Sequence, residues 1–261
     1  MKKVQHFIPR FILKKFTNEG SFSFYNKIFG IFSKKVPSGS MYKEYFYEHD
    51  EFSPNEIEDL LASRESLYAP IIEKVIKHQQ ISLEEYKILT EFRHTTYYRS
   101  NEFVGFHTHR KARGENDWMA RWDWRSLNFI YNPNDYDKDI KKSQLNAIQS
   151  VIDGKDAAYS LSLLTPICFV FTSKEQKFMI SDSGSLCFGD EFEGYVIIVI
   201  SPFYAIMFPR VNMAMKAMLK MGVDDKQVTV KYEEVDDDFV SFVNNKVLEK
   251  SFEYYIDPNL V

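Results

Sequence analysis

Cysteine is nearly absent from this 261-residue chain: Cys168 and Cys187 are the two, with no close second thiol and no spaced histidine pair beside either. That counts against a disulfide framework and a Cys/His zinc site, and free thiols in a reducing compartment are the simpler reading. No glycine-rich phosphate loop, nucleophile elbow, HExxH run or CxxC pair occurs, which counts against nucleotide-dependent enzymes, serine hydrolases and zinc enzymes. Long apolar runs are missing as well. The longest uncharged stretches, residues 157–173 and 194–209, fall short of a bilayer span and contain Pro166 and Pro202. The basic start is broken by Pro9, Arg10, Lys14 and Lys15 before any signal-like apolar segment develops. A soluble cytoplasmic protein without a membrane partner is expected. Internal repeats and low-complexity segments are also lacking.

What is present is a large supply of core-forming side chains. Hydrophobic residues make up 44% and aromatic residues 16%, with 23 Phe and 16 Tyr. This suffices for a packed core and argues against a disordered chain. The length suits one domain, 1–261, with a helical middle at 54–165 inserted between strand-rich segments at 1–50 and 166–261. The net charge of −4 conceals an uneven distribution. Residues 1–36 carry eight Lys or Arg against Glu19 alone, and residues 93–125 carry seven against four acids. These two stretches are the expected nucleic-acid contacts. Residues 224–257 carry ten acids against four lysines and form the expected surface for a protein partner. A merely solvated surface accounts for the same pattern.

The most informative segment is residues 5–16, QHFIPRFILKKF. Its apolar side chains draw the chain start into a core, and Pro9 predicts an extended approach up to Ile8 and a short helix from there. Alternation predicts strands at 21–27 and 31–36, joined through Gly30. Ser53 as N-cap, with Pro54 and Glu56, opens a helix bent at Pro70, and Ser82 with Glu85 opens a second helix through Phe103 toward His109. Trp118, Trp122 and Trp124, interleaved with Arg121 and Arg125, lie on an aromatic-rich helix at 118–130, where they serve either packing or base stacking. Helices follow at 140–153 and 156–165, then short strands at 167–172, 177–181, 195–200 and 204–208. A Met-rich helix at 213–221, a strand at 227–232, an acid-capped helix at 236–249 and a strand at 252–256 complete the chain. The fold class is α+β, a mixed or antiparallel sheet with a long-helix insertion between N-terminal and C-terminal strands.

His6-Phe7-Ile8-Pro9-Arg10-Phe11, then Glu58 and Glu65 on one helix, Arg99 on the next, Ile180-Ser181-Asp182 and Ile200-Ser201-Pro202 resemble a bacterial domain-of-unknown-function family, number 4238. The likeness spans residues 5 to about 210, and the chain departs from it by following Ser181-Asp182 with Ser183-Gly184 in place of Asn-Pro. The resemblance implies that His6, Arg10, Glu65, Arg99 and Asp182 converge in one pocket.

Such a set suits an anionic substrate. Arg10 and Arg99, with Ser181, would hold a phosphate or carboxylate, and His6 would carry a proton. Asp182 and Glu65 would act as base or hold Mg²⁺ or Mn²⁺. The expected function is a nuclease-like hydrolase of nucleic acid, of a toxin or phage-defence type. The alternative is a non-enzymatic module that binds a small anion, a nucleotide or a protein partner through the same pocket. A structural use of these residues stands beside both: an ion network of Arg10 with Asp182 or Glu65, and an Asx turn at Asp182. His107 and His109, with Arg99, Arg110, Lys111 and Arg113, form a second basic cluster. It suits phosphate better than metal, because residues two apart do not share a helix face.

Overall fold

The computed structural model describes residues 4–100, 103, 138–189, 194–223 and 227–260. Strand β1 (Val4–His6) leads through Pro9, the N-cap, into the short helix α1 (Arg10–Leu13). The hairpin of β2 (Phe22–Asn26) and β3 (Ile31–Lys35) turns at Gly30, whose φ of +65° is open to glycine without strain. Strand β4 (Tyr42–Glu44) returns to β1, with Tyr42 opposite His6 and Lys43 opposite Gln5. Nothing in its short sequence alternates, and only the pairing with β1 makes it a strand.

Helix α2 (Glu56–Ile76) starts later than the Ser53-Pro54 signal suggests. Asn55, at φ +64°, is the N-cap, and the Glu56 carboxylate accepts from the Ser53 amide at 2.8 Å. Pro70 lies inside the helix. Helix α3 (Leu83–Tyr98) opens with the expected capping box, Ser82 and Glu85 bonding each other's amides at 3.2 and 2.9 Å. It closes at Arg99, the C-cap, short of the anticipated run toward His109. The His107/His109 cluster and the tryptophan-rich helix at 118–130 lie outside the described residues. Helices α4 (Lys138–Ile152) and α5 (Ala157–Ser162) complete the helical middle.

The C-terminal half supplies β5 (Ile167–Thr172), β6 (Ile180–Ser181), β7 (Leu186–Gly189), β8 (Gly194–Ser201) and β9 (Tyr204–Pro209). Helix α6 (Val211–Met221), β10 (Thr229–Glu234), α7 (Asp237–Lys250) and β11 (Tyr254–Ile256) follow. Five of these strands form a mixed sheet in the order β10-β5-β9-β8-β7, in which only β10 and β5 are parallel. A four-stranded antiparallel sheet runs β3-β2-β11-β6 and joins the first part of the chain to the last.

The architecture is therefore α+β, with helices between N-terminal and C-terminal strands. One apolar cluster reaches from Phe7 to Ile256. The described part of the acidic stretch, residues 227–257, is built into both sheets through β10 and β11. Asp236 caps α7 at 2.9 Å from Phe239 N, and Val240, Val243 and Val247 are buried beneath it. No helix among the described residues is long and apolar enough to cross a membrane.

Candidate functional site

Phe7, Ile8, Ile12, Leu13 and Phe16 are buried in the shared core and hold the N-terminal segment down. Gln5 sets its position, with Oε1 accepting from Tyr47 N at 2.5 Å and Nε2 donating to Glu48 at 2.7 Å. His6 faces the Tyr42 ring, centroids 5.7 Å apart, and its Nε2 is buried without a hydrogen-bond partner. Burial, and then the charges of Arg10 and Arg99, push the His6 pKa down to about 4 against a smaller upward pull from the backbone of Pro37 and Ser38. The imidazole is therefore neutral at neutral pH. Arg10, the first residue of α1, is exposed, and its side chain makes no hydrogen bond or ion pair among the described residues.

Arg99 ties three elements together. Its Nη2 donates to His6 O at 2.5 Å, Nε to Tyr47 Oη at 3.2 Å and Nη1 to Glu65 Oε1 at 2.8 Å. Burial opposes the charge, but Tyr47 and Glu65 outweigh it and raise the Arg99 pKa. His6, Glu65 and Arg99 thus meet, and Arg10 stands close enough to His6 to act on its charge. The ion network of Arg10 with Asp182 or Glu65 does not form among the described residues; Glu65 pairs with Arg99 instead, and Asp182 with backbone amides.

Asp182 is committed elsewhere. Its Oδ1 accepts from Phe252 N at 2.7 Å, and its Oδ2 from Glu253 N at 2.6 Å and Tyr254 N at 3.3 Å. The carboxylate fastens the turn after β6 to the segment that enters β11, a long-range contact in place of an Asx turn on its own backbone. Burial pushes its pKa up to about 6, with the Glu253 and Phe252 amides pulling it back. Ser181 pairs with Tyr255 in the sheet, and its Oγ accepts from Ser183 N at 3.4 Å. Gly184, where the chain departs from Asn-Pro, has φ +68°, and a Cβ there would lie 2.9 Å from Thr96 and 3.0 Å from Ile8. Close approach and backbone conformation both demand glycine at this point.

The turn thus packs on the N-terminal motif through Ile8. Lys43 bridges the two regions, with Nζ 3.0 Å from Glu253 Oε1. No hydrogen bond or ion pair joins the His6 ring to the Asp182 carboxylate among the described residues. Asp182 faces amides, Glu65 faces a guanidinium, and the described residues contain no group of three His, Cys, Asp or Glu side chains able to hold a metal.

Sequence reasoning passed over the cleft beside this region. It has a volume of about 440 Å³ and lies between the β2–β3 hairpin, the loop before β4, and β11. Lys35 supplies positive charge beside Glu44 and the Lys43 ammonium, which is paired with Glu253, while Phe29, Tyr42 and Tyr254 supply rings. Phe29 is 72% exposed, although it is a large aromatic. Ser40 lines the cleft with a buried hydroxyl that has no hydrogen-bond partner, and the next residue, Met41, is held at φ +50°. A non-glycine residue in that conformation stores backbone strain, as residues at binding sites often do. The loop at 37–40 was legible in the sequence, but its closure against β11 depends on a strand more than two hundred residues away.

The family model described as "Protein of unknown function (DUF4238)" matches residues 4–256. No curated protein and no solved structure matches the chain. That match covers β1 through β11, including both the His6 segment and the Asp182 turn, and the chain therefore belongs to the DUF4238 family.

Proposed function

We propose that this protein is a non-enzymatic module that binds a nucleotide or a short single-stranded nucleic acid in the cleft between the β2–β3 hairpin and β4. The carrying observation is the unpartnered Ser40 hydroxyl in a cleft that also presents Lys35, Phe29 and Tyr42. Lysines attract phosphate, exposed rings stack on bases without regard to sequence, and a free hydroxyl completes a polar contact. Lys35 has no ion pair among the described residues, so its charge is available. The binding reading is preferred to hydrolysis because Asp182 and Glu65 are occupied by other protein groups.

A second reading, a nuclease-like hydrolase, draws support from one observation: the neutral His6 imidazole has a vacant, buried Nε2 beside exposed Arg10. A proton-transfer role for His6 with phosphate held by Arg10 follows from that geometry without a metal. Fluorescence anisotropy with labelled single-stranded RNA and DNA, followed by gel analysis of the same samples, separates the two readings. Salt-sensitive binding that weakens in Phe29→Ala and Lys35→Glu, with intact oligonucleotide, supports the module. Cleavage that disappears in His6→Gln transfers the assignment to the hydrolase, and the lack of any binding removes both.

A further inference from the structure

On the helical side of the molecule a second group of basic side chains is assembled from three elements. Arg93 and His94 stand on α3 and are only 7% and 8% exposed. Ser162, the last residue of α5, meets both: its Oγ accepts from Arg93 Nη1 at 3.2 Å and lies 3.1 Å from His94 Nε2. The same Oγ donates its proton to Ala158 O at 2.8 Å, so the arginine and the histidine both point donors at one shared oxygen. Arg210, the N-cap of α6, brings a third basic group. Its Nε is buried without a partner, and its positive charge acts on both Arg93 and His94.

Arg93 lies over the Phe208 ring, with Cζ 5.6 Å from the centroid. Phe208 precedes Arg210 by two residues, so the end of β9 presents both to the same side. The nearest acid in sequence, Glu91, is already bonded to Arg64 and to Tyr68 Oη, the latter at 2.6 Å. No carboxylate pairs with Arg93 or Arg210 among the described residues. Guanidiniums taken out of water without a counter-charge are strongly unfavourable. They repel one another here as well, and burial with the Arg210 charge draws the Arg93 pKa down to about 10, against an upward pull from Tyr86. A guanidinium fork matches an oxyanion two oxygens at a time, and the uncapped start of α6 adds positive potential beside Arg210.

We propose that Arg93 and Arg210, with His94 and Ser162 holding Arg93 in place, form a binding site for a phosphate group, distinct from the cleft at β4. The anion supplies a counter-charge that Arg93 and Arg210 lack among the described residues, and it joins α3 to the start of α6 through hydrogen bonds from the two guanidiniums. The phosphate is either free or the terminus of a phosphomonoester.

The test is thermal unfolding of the full chain in inorganic phosphate, in AMP and in chloride at matched ionic strength and pH, with affinities measured by calorimetry. Phosphate should raise the melting temperature in a saturable manner that chloride does not reproduce. Arg210→Gln and Arg93→Gln should each weaken phosphate binding roughly tenfold or more, the loss of one charge-assisted contact. In phosphate-free buffer Arg93→Gln should melt no lower than the parent, because it removes an unpaired buried charge. A response to both phosphate and AMP that Arg93→Gln and Arg210→Gln abolish assigns the site to phosphomonoesters, and such a response to phosphate alone assigns it to the free ion. Absence of any phosphate-specific rise, or equal affinity in parent and both variants, overturns the proposal.

Discussion

Arg93 and Arg99 stand six residues apart on and just beyond α3, both buried, and they behave as opposites. Arg99 reaches a carboxylate, a carbonyl and a phenol on three separate elements. Arg93 reaches one serine hydroxyl and the face of a phenylalanine. The first is a fastening inside the protein, complete without a ligand. The second has donors left over and no counter-charge among the described residues, which is the condition of a site that waits for an anion. Burial of a charge does not by itself distinguish structure from function; the saturation of its hydrogen bonds does.

The largest effect should come from cutting the saturated side of this comparison. Arg99→Gln leaves Glu65, the His6 carbonyl and Tyr47 without their shared partner, and urea unfolding should show a loss of about 3 kcal/mol or more. Arg93→Gln in phosphate-free buffer should lose nothing. Equal losses would erase the distinction between the two arginines.

Asp182→Ala extends the same logic to the C-terminal turn. It strands the amides of Phe252, Glu253 and Tyr254, and should destabilise the protein by about 2–3 kcal/mol. Asp182→Asn, which keeps one acceptor oxygen, should recover part of that loss. A neutral result for Asp182→Ala would return this carboxylate to the list of chemical groups.

A smaller effect concerns pH. The folded His6 pKa, about 4, lies below its ordinary value of 6.5, so between those values the unfolded chain binds a proton that the folded one refuses. This contribution is fully present above pH 6.5 and is lost as pH falls toward 4. Asp182 works in the opposite sense: its raised value, about 6 against 3.8, makes the folded state hold a proton as pH falls through that window. His6→Gln should therefore decline less in stability than the parent between neutral pH and pH 4.5, measured by urea unfolding at both. An unchanged decline would show that the vacant Nε2 is not what disfavours the charged ring.

The smallest stability effects belong to the cleft. Phe29→Ala and Lys35→Glu should stay within about 0.5 kcal/mol of the parent in urea unfolding, because both side chains are exposed. Their loss should appear only in oligonucleotide anisotropy. A large stability change would reassign both side chains to the fold.

Most of the element order was legible because it follows from local chemistry. The Ser82/Glu85 box, the hairpin around Gly30 and the strands at 167–172 and 204–208 are written in period and capping. The misses share a cause. β4 is a strand only through its pairing with β1, and α2 begins at Asn55 because the turn over 53–56 closes first. At the candidate site Arg99 joins Glu65 to the His6 carbonyl, and the role of Asp182 could not be read from its neighbours. Its partners are backbone amides some seventy residues further on.

By itself the sequence determined that the opening segment is buried, that capped helices lie between strand-rich ends, and which ionisable groups were candidates for chemistry. The tertiary structure alone decided which of those groups are engaged. Periodicity and capping act over a few residues, whereas the saturation of a buried charge depends on donors and acceptors brought from distant segments. Backbone amides, the partners that fill Asp182, are the same at every position and leave no mark in the order of side chains.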